Sequence, residues 1–526
     1  MDVSPRFGRR SMTGTKYTKI RRKIRCRQVC FISCRLSIYS SAEAREFLPR
    51  FTPSRHTSRI DPMPHRQGSY NTFFLVSVSL VAALGGLLFG YDWVVIGGAK
   101  PFYEAYFGLT DPAAVGWAMS SALVGCLFGA LGAGWTSDRW GRKRLLLFSA
   151  FLFAATSIGT AMAQDFSWFI AFRLLGGVAI GLASVLSPMY IAEIVPGEIR
   201  GKFVSLNQLT IVIGILLAQI VNWMIADPVP SGSTREVIAV SWNGQWGWRW
   251  MFGVTAIPAG AFFAFLFAVP ESPRWLMKRG RTDSAQATLE RLGGAAYAEA
   301  EVRRIESTVA EHTPNVDLSL LLDRRMRRVL GIGIFLAAFQ QWCGINIIFN
   351  YAQEIFTAAG YGVSDILFNI VVTGSVNLVF TFVAIATVDR LGRRFLLLAG
   401  SAGLFLCHLL IGVSYALEAQ GVTVLVLTLL AIACYACSLA PVVWVVLSEV
   451  FPNRIRGAAM SVAVFVLWTA CFILTYTFPL LHHAVGAAVT FWVYSGICLV
   501  GFLVIARSLP ETKGKSLEQI EAEFVR

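Results

Sequence analysis

A chain of 526 residues that is 55% hydrophobic, 13% aromatic and only 15% charged is too apolar to be a soluble protein of this size. Its repeated apolar runs of about 20 residues place it among helical membrane proteins rather than barrels, and leave no room for a soluble catalytic domain. The net charge of +15 is concentrated in residues 1–62, which hold 15 Lys/Arg against 4 Asp/Glu, so the basicity belongs to a leader and no nucleic-acid partner is expected.

That leader, within an extension covering residues 1–71, has three readings: a basic tail near anionic lipid, an Arg-rich targeting segment, or an overextended start with Met63 as the true beginning. Apolar runs then predict spans near 73–98, 114–136, 145–163, 168–191, 204–226 and 250–269. A polar linker follows over 270–328, interrupted by Pro314, and its charge pattern predicts short solvated helices. Further spans are predicted near 330–356, 366–388, 395–416, 422–447, 457–480 and 487–508, with a short tail over 509–526. The tail reads as a helix from Ser516 to Phe524, with Ser516 and Gln519 forming a capping box. The expected fold is all-α, twelve membrane helices in two six-helix halves over 72–269 and 329–508.

Arg/Lys clusters at 139–144, 200–202, 274–281, 390–394 and 454–456 share one side of the membrane, leaving Lys100, Arg235 and Arg249 on the other. The positive-inside rule puts both termini in the cytoplasm of a multi-pass inner or plasma membrane protein. Trp242, Trp246, Trp248 and Trp250 then fall where an outer aromatic belt belongs. Seven of the ten cysteines lie inside predicted spans, so they read as reduced thiols. Cys434 and Cys437 have the spacing of a redox or metal pair but no nearby ligands. Six histidines without carboxylates or thiols at ligand spacing leave no catalytic constellation. No enzyme activity, metal or cofactor is expected.

The second half repeats the first. Asp138-Arg-Trp-Gly-Arg-Lys-Arg144 returns 251 residues later as Asp389-Arg-Leu-Gly-Arg-Arg-Phe395. Glu193 with Arg200 returns as Glu449 with Arg456, and Pro270-Glu271-Ser-Pro-Arg274 has its counterpart in Pro510-Glu511-Thr. Such halves predict substrate at the midplane between them and access that alternates as one rocks against the other. The repeated charges, Asp138, Arg139, Arg142, Glu193, Arg200, Glu271 and Arg274 with Asp389, Arg390, Arg393, Glu449, Arg456 and Glu511, read either as ionic clamps between helices that bias conformation or as topology signals meeting lipid headgroups.

One stretch, Phe339 to Tyr351, places Gln340, Gln341, Asn346 and Asn350 midway along an apolar run. An unpartnered polar group in hydrocarbon costs roughly 2–7 kcal/mol, so something must answer these amides. On an unbroken helix they would spread over more than half the circumference, and Gly344 suggests an interruption. Neutral donors and acceptors suit a polyhydroxylated ligand; helix-to-helix hydrogen bonding is the other reading. Asp92 in the first span and Arg173 in the fourth are the intramembrane charges, read as a proton-coupling pair or as a static ion pair.

Together, the Asp-Arg-x-Gly-Arg, Pro-Glu-Ser-Pro-Arg and Pro-Glu-Thr motifs, with Leu84-Gly-Gly-Leu-Leu-Phe-Gly-Tyr-Asp92 and Phe339-Gln-Gln, resemble the sugar porters of the major facilitator superfamily from about Phe73 to Phe524. Within it, the pattern is most similar to the bacterial proton-coupled D-xylose symporters. The resemblance implies a monomeric secondary transporter importing a monosaccharide, pentose or hexose, by proton symport, with Asp92 as coupling acid and Arg173 modulating it. It implies sugar contacts at Gln208, Gln340, Gln341, Asn346, Asn377, Trp444 and Trp468. Asn350 stands where the xylose symporter has a tyrosine, Leu467 precedes Trp468 where it has glutamine, and Trp93 follows Asp92 where a small residue is usual. These departures keep the class of sugar and leave the individual sugar open. A facilitative uniporter and a sugar sensor are the alternatives, and the carboxylate of Asp92 favours symport.

Overall fold

The computed structural model describes residues 70–197, 199–230, 232–311, 324–419, 421–451 and 456–513, all helix and connection without a strand. The leader, Pro314, the helix expected from Ser516, and the side chains of Asp389 and Arg456 lie outside the described residues.

Among the described residues, eleven helical stretches are long and apolar enough to cross a bilayer. The last, Arg456–Ser508, runs 53 residues but leaves helical geometry at Gly486 (φ 77°, ψ 173°), so it supplies two spans. The described residues therefore supply the twelve spans expected of the major facilitator fold.

In the first half the spans are Thr72–Phe107, Pro112–Trp140, Arg142–Met162, Phe166–Ile194, Arg200–Ile225 and Asn243–Ala268. The first runs past its expected end at residue 98 to Phe107, with Pro101 inside it. Lys100, expected beyond the end of this span, lies inside the helix and is 2% exposed. A hydropathy reading stops at the charge; the helix continues because carboxylates answer it. The sixth span begins earlier than residue 250, through a π-helical turn at Asn243–Gly247. Trp248 is fully buried there, so the aromatic belt keeps only the exposed Trp242, Trp246 and Trp250.

Two helices, Pro273–Lys278 and Thr282–Glu311, follow the sixth span, the second bending at Gly294 (φ 81°, ψ 173°). They return to the start of the first span, where Asn71 N donates to Leu292 O at 2.9 Å and Tyr70 meets Tyr297 edge-on at 5.4 Å.

The seventh span is built from Arg324–Trp342, Ile345–Asn350 and Ala352–Ala358. The eighth and ninth are Val363–Leu391 and Arg393–Ala416. The tenth is split at Ser438 into Val422–Cys437 and Leu439–Val450, three residues before Pro441, whose ring and missing N–H break helical bonding.

Candidate functional site

Gly344 takes the left-handed conformation (φ 88°, ψ −7°) and interrupts the seventh span where the amides cluster. A side chain is strained in that conformation, so glycine carries the break. Five residues along a continuous helix would leave Gln341 and Asn346 about 140° apart. Across the break, Asn346 Nδ2 reaches Gln341 Oε1 at 2.5 Å, and also lies 3.5 Å from Cys471 Sγ. The carbonyl freed at Cys343 meets His408 Nε2 at 2.9 Å, which places the ring proton on Nε2.

Gln340 answers the other broken helix. Its Nε2 donates to Leu439 O at 3.0 Å and Ala440 O at 3.1 Å. The two readings of these amides thus meet in one side chain, because the NH2 binds helix to helix while Oε1 is buried with no partner among the described residues. Asn350 is 4% exposed, and its Oδ1 likewise lacks a partner. Buried polar atoms of this kind are rare and call for a ligand, a water or a change of conformation. The eleventh span backs the whole stretch, with Trp342 Nε1 on Ala470 O at 2.8 Å and Tyr351 OH on Thr475 O at 2.7 Å.

Asp92 and Arg173 pair directly. Arg173 Nη1 lies 3.1 Å from Oδ1 and 3.0 Å from Oδ2, both residues are buried, and the guanidinium also lies over the Phe252 ring at 5.4 Å. One turn around the first span, Phe89 and Trp93 pack on Trp468 with ring centroids 5.8 and 5.9 Å away, an aromatic bridge between halves that covers the Trp468 ring. Asn377 in the eighth span is buried, Gln208 in the fifth is half-buried, and Trp444 in the tenth is 36% exposed.

The repeated motifs form two matching networks, each inside its own half. Glu271 accepts from Arg142 N at 3.0 Å and Lys143 N at 3.1 Å; Glu511 accepts from Arg393 N at 2.9 Å and Arg394 N at 3.1 Å. Arg142 reaches Ser137 O at 3.1 Å and Glu193 at 2.9 Å, as Arg393 reaches Val388 O at 3.3 Å and Glu449 at 3.2 Å. Ser272 Oγ holds Glu193 as Thr512 Oγ holds Glu449. Desolvation alone would raise the Glu511 pKa, but backbone N–H donors from Lys513, Arg393, Arg394 and Thr512 hold it below the ordinary carboxylate value.

Not every basic motif residue is in a pair. Asp138 bonds Lys278 at 3.0 Å and Arg142 at 3.1 Å, while Arg139 is exposed with its guanidinium over Trp135. Arg200 has Arg274, Arg304 and Glu301 as charged neighbours, and Arg390 contributes its carbonyl to Lys513 at 2.6 Å.

At the opposite end of the bundle lies a cluster that the motifs do not signal. Lys100 Nζ is 2.7 Å from Glu104 in its own helix and bonds Glu354 of the seventh span. Arg235 stands 3.7 Å from Glu104. Gln219 of the fifth span, 1% exposed and facing Gly374 of the eighth, is a further amide without a partner among the described residues. An outward apolar groove lined by Phe335, Ala338, Trp342, Val493 and Ile497 has almost no polar surface and does not suit a hydroxylated ligand.

Residues 78–524 match the family model described as "Sugar (and other) transporter". The D-xylose-proton symporter of Escherichia coli K12 is 38% identical over 486 residues, covering 86% of this chain and 96% of that protein. The arabinose-proton symporter of Bacillus subtilis is 37% identical over 470 residues, covering 89% and 99%. Among solved structures, an inward open conformation of the E. coli xylose transporter superposes with a TM-score of 0.74 at 35% identity, covering 85% of this chain and 99% of the other.

Proposed function

This chain belongs to the sugar transporter family and has the major facilitator fold, and from that premise we propose that it imports a monosaccharide, pentose or hexose, together with a proton by alternating access. The observation that carries the coupling is the buried pair of Asp92 and Arg173, on the first and fourth spans. Protonation of Asp92 removes its charge and releases Arg173, so proton loading and the contact between the two spans become one event. Deprotonation restores the pair. The relatives named as proton symporters of xylose and arabinose support the same reading.

The sugar lies between the halves, against the broken seventh span. Gln341 and Asn346 open their mutual bond to hydroxyls, the free oxygens of Gln340 and Asn350 accept from them, and Gln208 and Asn377 contribute further amides. Trp468 offers a ring face to the C–H face of the sugar once Phe89 and Trp93 withdraw from it, and Trp444 another. The motif networks brace each half as it rocks. The end bearing them faces the cytoplasm, in accord with the positive-inside rule, and the monomer is the transporting unit.

Reconstitution in liposomes with a panel of labelled sugars tests this reading. The wild type accumulates sugar uphill under an imposed pH gradient, and Asp92→Asn equilibrates it without accumulation; uphill accumulation by Asp92→Asn defeats the coupling assignment. Downhill flux alone in the wild type makes the chain a uniporter, and binding without flux makes it a sensor. In the same assay Asn350→Tyr changes the ranking of sugars, whereas Gln341→Ala weakens all of them.

A further inference from the structure

Alternating access requires a closed gate on one side, and the end of the bundle opposite the motif loops is held shut by identifiable contacts. Gly97 lies against the seventh span so closely that an added Cβ would stand 2.9 Å from Phe349 O and 3.2 Å from Asn350 O. One turn on, Lys100 crosses from the first span to Glu354 in the other half, with its Nζ 5.7 Å from the centre of the Tyr351 ring. Beside them Val229 N donates to Ser364 Oγ at 2.9 Å, and Trp223 packs on Phe368 at 6.0 Å, again from half to half.

A buried ion pair between halves that must separate poses a physical difficulty, because an uncompensated buried charge is strongly unfavourable. Glu104 removes it. It lies on the same helix, 2.7 Å from Lys100, and travels with it. When the halves part, Lys100 keeps a carboxylate partner, and Glu354, whose side chain is already 22% exposed, turns to water. Two carboxylates sharing one lysine thus permit both states, whereas a lone pair would lock one.

We propose that Lys100, Glu104 and Glu354 are the gate of this end of the transport path: Glu354 is the bond that closes it, and Glu104 is the partner that receives Lys100 as it opens. They act on the position of the halves and need not touch sugar or proton. The inference rests on alternating access by the proposed transporter.

The test is a distance measured without sugar, pH gradient or flux. Spin-labelled side chains are encoded in the full chain at Thr110, in the loop after the first span, and at the exposed Leu417, after the ninth; both sit at this end, one in each half. Lys100→Met and Glu354→Gln each raise the ratio of long to short separations by about tenfold, equivalent to about 1.4 kcal/mol. Glu104→Gln leaves Lys100 to Glu354 alone and shifts the ratio the other way. A merely structural cluster would not give opposite signs for two carboxylates on one lysine. Unchanged separations in Glu354→Gln, or a shift of Glu104→Gln in the same direction, overturn the proposal. If Lys100→Met does not insert, the near-isosteric Glu354→Gln decides alone. A wild type that moves no sugar would defeat the transport reading while leaving this distance test intact.

Discussion

The two ends of the bundle hold their charges in different ways. At the motif end each half carries its own network, drawn twice with matching partners: a carboxylate on two helix-start N–H groups, an arginine on a carbonyl five residues back, and a second carboxylate steadied by a hydroxyl. At the opposite end one lysine crosses from half to half, without a counterpart among the described residues. Paired networks within halves suit a rigid body; a charged bond from one half to the other suits a gate. The difference teaches that internal repetition marks what moves together, and that the chemistry of motion lies where the repeat is broken.

The strongest way to break that comparison is to remove an arginine from a motif network. Arg142 and Glu193 have side-chain exposures of 9% and 12%, so Arg142→Ala strands a largely buried carboxylate, a loss of about 3–5 kcal/mol for a fully buried pair and less here. Transport falls at least tenfold while membrane insertion and topology persist. Arg393 and Glu449 are more exposed, at 14% and 22%, and Arg393→Ala has a smaller effect of the same kind. Uptake rates beside a topology assay check both, and wild-type rates in either variant would reduce that half's network to a topology signal. The spin-label separation at the opposite end moves less in Arg142→Ala than in Glu354→Gln if the network is internal to its half.

A smaller effect is expected at Gly97. An added methyl must push the first span off the carbonyls of Phe349 and Asn350, and overpacking of this kind costs about 1–3 kcal/mol. Gly97→Ala therefore raises the long separations between Thr110 and Leu417, in the same direction as Glu354→Gln but to a lesser degree. A shift towards shorter separations would show that the seventh span yields and that the close approach is not part of the closure.

How much of this was legible in the sequence follows the same divide. Hydropathy fixes twelve spans because each must be apolar for about 20 residues, and the motif loops declare themselves by recurring. Gly344 among amides announced a break, since four amides cannot share a seam on a continuous helix. That Gln340 would spend its NH2 on Leu439 and Ala440 was not legible, because it depends on a second break 99 residues away. Lys100 was hidden more deeply. It reads as an outer charge beyond the first span, and the residue that makes it a bond between halves lies 254 positions later. Gln219 and Trp93 sat in apolar runs as single residues, where only the facing helix gives them meaning.

The mildest prediction concerns the anchor at Glu511, and its sign follows from its titration. Backbone N–H groups hold its pKa below the ordinary carboxylate value against the opposing pull of desolvation. A carboxyl whose folded pKa is lowered contributes stability that is complete above its unfolded pKa and is lost only as pH falls through the folded one. Between neutrality and mildly acidic conditions the anchor is therefore constant, so Glu511 does not respond to a proton gradient in that range. Glu511→Gln retains an acceptor for one of the two helix-start N–H groups and loses the charge, which in a half-buried position costs on the order of 1 kcal/mol. The unfolding midpoint of the variant should lie slightly below that of the wild type, by an equal amount at neutral and mildly acidic pH. A gap that closes within that range would show that Glu511 titrates there, and would make the second network a pH-responsive element instead of a rigid brace.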